Sequence, residues 1–292
     1  MQALYTAELY SDPTQSDPSS YTDYLIEESA LSLWINQQPA AVFMRTPQHD
    51  LDLVCGFLWS EKIIEELDDL SYLNPCWRAP YRKIHAYLAD GVWVRPTQRS
   101  NYISSSCGLC SLEDVKKPSQ HQYPHIRPNL HTLDLIDRVA PTLDAIEQKR
   151  QRLRIQSDLY ALSQKKIACY LADFNRQDSW FSQTGGCHAA ALYAPHNMHA
   201  RYFREDVGRH NAVDKVFGAA FRAQQYDLHN WVLLVSSRAG FEIIQKAVHV
   251  GVGAVITLGA ASAMAHRYAK QHHLPLFSFT KKSKSHRHLA HL

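Results

Sequence analysis

No stretch of this 292-residue sequence strings together the roughly 20 apolar residues that a membrane-spanning helix requires. The most apolar segment, Val250 to Ala265, is interrupted by Gly251, Gly253, Gly259 and Ser262. Met1 to Asp12 lacks both the basic and the apolar region of a secretory signal, so a cytoplasmic location is expected. A large charge of either sign is also missing. The 31 basic and 28 acidic side chains leave a net +3, which by itself gives no ground for expecting a nucleic-acid partner. No Gly-x-Gly-x-x-Gly turn follows a strand, so the nicotinamide-binding signature is lacking. Internal repeats are absent as well.

Cysteine is present six times, and without an export signal these thiols are expected to be reduced. The one close pair is Cys107-Gly108-Leu109-Cys110, preceded by Ser104-Ser105-Ser106. A second Cys-x-x-Cys that would complete a zinc site is missing. A redox pair of the thioredoxin kind would open a helix after a strand, whereas polar residues follow here. Two thiols three positions apart can both reach one sulfur atom. The small residues around Cys107 leave backbone amides free to face an anionic sulfur, and a neighbouring thiol can exchange with a persulfide.

Residues 1–21, rich in Ser, Asp, Pro and Gln, read as a mobile leader. Residues 22–130 read as a smaller α+β region carrying the Cys-x-x-Cys loop. Leu31 to Ile35 and Ala41 to Met44 form a hairpin around Asn36-Gln37-Gln38, Pro47 to Glu66 a helix, and Ile84 to Leu88 and Val92 to Val94 short strands. Lys116 to Asn129 is a polar connector, and Leu133 to Leu153 an amphipathic helix. Residues 131–281 form an α/β domain. Its last part alternates strand and helix (Trp231–Val235, Phe241–Val250, Ala254–Leu258, Ser262–His272, Leu274–Phe279), which predicts a parallel sheet covered by helices. Residues 282–292 are a basic tail.

Four further clusters can carry chemistry. In Thr184-Gly185-Gly186-Cys187-His188, the glycines allow a tight turn into a helix or close approach to a ligand. His188 near that helix start donates to a phosphate or simply packs in the turn, with equal weight, and Cys187 reads as a small buried residue. In Arg204 to Lys215, Arg209 and His210 fall at the start of an apolar helix face, a position suited to phosphate, with a solvated run of internal salt bridges as the bland alternative. Ser236 to Glu242 joins a buried strand to a helix, and Arg238 adds positive charge where parallel α/β sheets collect ligands. Phe279-Thr280-Lys281-Lys282-Ser283-Lys284 follows the last strand. It is either a ligand loop or, more commonly for such a composition, a disordered basic end.

Together these motifs resemble the FdhD family of sulfur carriers required for formate dehydrogenase activity. Four stretches carry the likeness: Gly56 to Glu61 with Ile63-Ile64, Ser105 to Cys110, Thr184 to Gly186 with His188-Ala189-Ala190, and Glu205 to Lys215. The resemblance implies a cytidine-deaminase-like α/β/α layering with a smaller appended region, and a homodimer. It implies that a cysteine desulfurase loads sulfur onto Cys107, with Cys110 as helper. The sulfur then passes to the bis-molybdopterin guanine dinucleotide form of the molybdenum cofactor, bound through Phe279 to Lys284, before insertion into formate dehydrogenase. His188, Arg209, His210 and Arg238 are the candidate phosphate contacts, and no structural metal is expected. Several turns depart from the family pattern: Lys62 and Ser111 stand for glycines, Ser237 and Gly240 alter the turn at 236–240, Gly259 to Ser262 differ, and Ser278 to Lys281 replaces Gly-Phe-x-Arg. A zinc deaminase is excluded, because His188 is followed by alanines rather than a Glu and the Cys pair lacks its proline.

Overall fold

The computed structural model describes residues 4–10, 20–77, 82–92, 164–278 and 287–288. The Cys107–Cys110 loop, the 116–129 connector, the 133–153 helix and the segment 279–284 lie outside the described residues.

The leader holds strand where irregular chain was expected: β1 (Leu4–Tyr10) pairs antiparallel with β2 (Ser20–Ile26) in full register. Next come β3 (Ser29–Ile35) and β4 (Gln38–Arg45), whose inward positions alternate with half-exposed ones. Asn36 and Gln37 both take positive φ, at 46° and 66°. A tight two-residue hairpin demands this, because its turn must follow the right-handed twist of the strands. Helix α1 spans Asp50–Ser60, shorter at both ends than the periodicity predicts. A single 3-10 turn (Leu67–Asp69) leads into β5 (Leu70–Cys76), and β6 (Arg82–Leu88) completes a four-stranded sheet of order β4-β3-β6-β5. Val92 lies beyond the end of this sheet.

After α2 (Gln164–Arg176) and the one-turn α3 (Trp180–Thr184), the chain builds a six-stranded sheet. It contains β7 (His188–Tyr193), β8 (Tyr202–Asp206), β9 (Val232–Val235), β10 (Ala254–Thr257), β11 (Leu276–Ser278) and β12 (Arg287–His288), in the order β12-β11-β10-β9-β7-β8. Helices α4 (Arg209–Arg222), α5 (Phe241–Val250) and α6 (Ala263–Gln271) connect its strands. The β9-β10-β11 core is parallel as the alternating pattern predicts, but β7, β8 and β12 join antiparallel, so the sheet is mixed.

Side-chain alternation along these strands feeds two apolar clusters. One face, with Ala191, Leu234 and Ile256, packs against Ile167, Tyr170 and Phe174 of α2. The other face, with Leu192, Leu233 and Val255, packs against α4, α5 and α6. That second cluster continues without a break through α1 to Leu31, Phe43 and Ile84 on the inner face of the four-stranded sheet. The described parts of the expected small region and α/β domain thus share one core.

The α1–α4 contact explains one sequence motif. A Cβ at Gly56 would lie 1.7 Å from the Asp214 carbonyl oxygen, and one at Gly218 would lie 1.8 Å from that of Asp52. The two helices cross backbone to backbone, which only glycine at both positions permits. Among the described residues no helix is long and apolar enough to cross a membrane.

Candidate functional site at the carboxyl end of the six-stranded sheet

Because β7 runs antiparallel to both neighbours, its first residue, His188, lies at the same edge as the last residues of β8 and β9. Parallel partners bring the ends of β10 and β11 to that edge too. Helices α4, α5 and α6 start there, after β8, β9 and β10. In open α/β sheets this edge is where ligands collect, since loops and helix amino ends converge on it.

The charged run from Arg204 to Lys215 divides into an inward and an outward part. Asp206 is wholly buried. It accepts hydrogen bonds from the Thr46 amide at 3.1 Å, the Gly208 amide at 2.8 Å and Asn211 Nδ2 at 3.0 Å, and it pairs with Lys215 Nζ at 2.7 Å. Lys215, also wholly buried, donates in addition to the carbonyls of Thr46 (2.8 Å) and Glu205 (3.1 Å). Its three N–H protons therefore meet three acceptors, which is how a buried ammonium is tolerated. Glu205 turns the other way and accepts from the amides of Trp180 and Phe181, fixing the start of α3. Asp214 accepts from Ser60 at 2.7 Å and pairs with Lys246 at 3.0 Å, while Lys246 also reaches Glu61 at 2.9 Å. Arg204 pairs with Asp52 of α1. Most of this motif therefore binds the small sheet and α1 to α4, and neither the anion-site reading nor the solvated-run reading anticipates such a buried lock.

Arg209 and His210 remain half-exposed at the first turn of α4, as the helix-start reading predicts. His210 Nε2 meets Glu242 Oε2 of α5 at 3.0 Å, tying two helix amino ends together. The N-caps of α4 and α5 are Gly208 and Gly240, and neither helix has a side-chain cap. In α6 the Ser262 hydroxyl accepts from the Ala265 amide. Two of the three helices at this edge thus have glycine at the N-cap and no capping side chain, next to Arg209 and the exposed Arg238.

His188 corrects one expectation. It opens strand β7 rather than a helix, because Gly185, in the left-handed region at φ 63°, caps α3 and Gly186 leads into the sheet. The Ser236 hydroxyl accepts from the Ala189 amide at 2.9 Å and lies 3.5 Å from His188 Nδ1. Burial, then the positive charges of Arg209 and His210, lower the His188 pKa, so its ring is neutral at pH 7. Cys187 is buried as expected. Burial and the Glu205 and Asp206 carboxylates push its thiol far up, so it is not a thiolate nucleophile. Arg238 crosses directly over Gly259, whose missing Cβ makes room for it.

His188, Arg209, His210 and Arg238, chosen from separate stretches of sequence, share this one edge, and the last described residue before the 279–284 segment, Ser278, ends β11 at the same edge, three strands from β7. Glu242 as the partner of His210, and the buried Ser278, escaped the sequence reading. Both roles arise from contacts across helices or strands and leave no local signature. Among the described residues no three His, Cys, Asp or Glu side chains gather to hold a metal.

Known proteins match the chain along most of its length. The FdhD/NarQ family model covers residues 26–144 and 135–288. A protein of Streptomyces avermitilis named sulfur carrier protein FdhD is 34% identical over 275 residues, covering 90% of this chain and 86% of its own length. One of the same name from Mycobacterium tuberculosis is 32% identical over 270 residues, covering 88% and 86%. A crystal structure from Desulfotalea psychrophila, titled as that of a formate dehydrogenase accessory protein, superposes with a TM-score of 0.63 at 14% identity. It covers 98% of this chain and 97% of its own, and supports the fold. The family model spans both the four-stranded and the six-stranded sheets, and the chain belongs to the FdhD/NarQ family.

Proposed function

We propose that this protein is a sulfur carrier that accepts persulfide sulfur from a cysteine desulfurase and delivers it to the molybdenum cofactor of formate dehydrogenase. Its relatives' names and the family match support the general role. One structural observation supports the finer reading: the edge that gathers His188, Arg209 and Arg238 has two helix amino ends without side-chain caps. Such an edge favours an anion, and the bis-molybdopterin guanine dinucleotide acceptor is polyanionic through its phosphates.

In this reading the Cys107 thiolate attacks the terminal sulfur of the donor's persulfide, a new S–S bond forms and the donor thiolate leaves. Cys110 then attacks the inner sulfur on Cys107. The loop disulfide forms, the terminal sulfur departs as sulfide to the metal of the acceptor, and a dithiol reductant resets the pair. Arg209 and Arg238 hold the acceptor's phosphates, the amino ends of α4 and α5 add their amides, and the segment 279–284 holds the guanine nucleotide. His188, neutral, serves as a hydrogen-bonding group without adding charge.

Mass spectrometry after incubation with a desulfurase and cysteine tests the first step. A gain of about 32 Da, one sulfur atom, on the peptide containing Cys107, lost on reduction, is expected. If the wild-type chain carries no adduct, or if Cys107→Ala matures formate dehydrogenase as well as wild type, the sulfur-carrier mechanism is wrong.

A further inference from the structure

Arg45 Nε and Asp50 Oδ1 face each other at 2.7 Å and satisfy one another. Beyond that pair, two buried side-chain polar atoms among the described residues have no hydrogen-bond partner, His85 Nδ1 and Ser278 Oγ. His85 lies on the outer face of the four-stranded sheet among Trp34 and Tyr87, far in the chain from the candidate site. Ser278 is different. It is 2% exposed and is the last residue of β11, at the edge where the candidate ligand groups converge.

Its direction follows from alternation along the strand. Leu276 belongs to the cluster under α5 and α6, and Phe277 to the opposite cluster under α2. Ser278 therefore returns to the α5/α6 side, at the end of the sheet where those helices begin. The pairing of Phe277 with Ile256 sets it beside Thr257 of β10, whose hydroxyl is satisfied by donating to the Gly259 carbonyl at 2.9 Å. The Ser278 hydroxyl has no such outlet. A buried hydroxyl without a partner lowers stability, and a packing role alone would be served by alanine or glycine. At the same edge, after β9, Gly240 begins α5 with no side-chain cap and with open space where a Cβ would be, and Arg238 is exposed.

We propose that the Ser278 hydroxyl is a ligand-binding group of this edge, donating a hydrogen bond to a phosphate oxygen of a bound nucleoside diphosphate moiety. The assignment rests on the nucleotide-binding part of the proposed function and adds a specific contact to it. The orphaned hydroxyl is then a cost carried by the free protein and recovered on binding.

Isothermal titration of the full-length protein with GDP and with guanosine, together with ligand-free melting curves, tests it. Ser278→Ala should weaken GDP binding by roughly tenfold, the loss of one hydrogen bond to a charged acceptor. Guanosine affinity should be unchanged, and the ligand-free melting temperature equal or higher. Equal GDP affinity in variant and wild type overturns the proposal. So does an equal loss for guanosine, which would place the hydroxyl on the nucleoside. A lowered ligand-free melting temperature also overturns it, because it makes the hydroxyl structural. If the wild-type chain binds no GDP, the nucleotide reading itself fails, an outcome distinct from a failure confined to Ser278.

Discussion

Replacing Lys215 by methionine removes the one cation from a buried knot while keeping much of its volume. Its ammonium, wholly enclosed, lies 2.7 Å from Asp206 and within hydrogen-bond distance of the Thr46 and Glu205 carbonyls. Breaking one partner of a buried pair typically costs about 3 to 5 kcal/mol, because the remaining charge keeps its desolvation penalty. Here the lower end is expected, since the Thr46 and Gly208 amides and Asn211 still hold the Asp206 carboxylate. At about 2 to 4 °C per kcal/mol, a loss near 3 kcal/mol lowers the melting temperature by roughly 6 to 12 °C. The penalty should also depend on pH. Burial already pushes the Asp206 pKa up even with Lys215 in place, and removing the cation pushes it further. Between the unfolded pKa and this raised folded pKa the unfolded chain gives up a proton that the folded chain keeps, so the variant loses stability as pH rises. Thermal melts of Lys215→Met and wild type at pH 5 and pH 8 measure this, with the deficit larger at pH 8. An unchanged melting temperature with weakened GDP binding would show Lys215 to be a ligand group, and the structural reading of the lock would be wrong.

Two further outcomes follow from the same geometry. Gly56→Ala places a methyl group where the Asp214 carbonyl stands, so α1 and α4 must separate. The expected loss is about 2 to 4 kcal/mol in urea melts, well beyond the usual effect of a surface substitution, and a change under about 0.5 kcal/mol would refute the close crossing. For His188, burial and the neighbouring Arg209 and His210 lower the pKa, so an NMR titration should place its midpoint below 6.5, and Arg209→Ala should move it up. The neutral ring favours the folded state, so this residue's contribution to stability is present above pH 6.5 and shrinks as pH falls toward the lowered folded value. A midpoint above 6.5 contradicts the assignment.

Periodicity made much of the fold legible. The run from β9 to β11 reads correctly because buried parallel strands are short apolar blocks and the helices between them show their own spacing. Antiparallel β7 was not legible: Gly185-Gly186 followed by His188-Ala189-Ala190-Ala191 has the small-residue composition of either a helix or a buried strand. The strands of the leader were missed for a related reason, since Ser, Asp and Pro around residues 11–19 mask two pairing segments whose partners are set only by each other. The candidate site divides the same way. Arg209 and His210 were legible as a helix start because Gly208 and the apolar spacing after it mark the boundary locally.

The sequence by itself determined the family and singled out the close cysteine pair Cys107 and Cys110, because both reside in residue identities at short spacings. It also determined which segments become helix or strand wherever one face is periodically apolar. Only the tertiary structure decided which charges point inward. Glu205, Asp206, Asp214 and Lys215 look like a solvated charge run until Thr46, Ser60 and Lys246, distant in the chain, are brought against them. Burial and hydrogen-bond partnership are properties of packed neighbours. The same run of charged residues is therefore a binding surface or a lock according to contacts that no local pattern encodes.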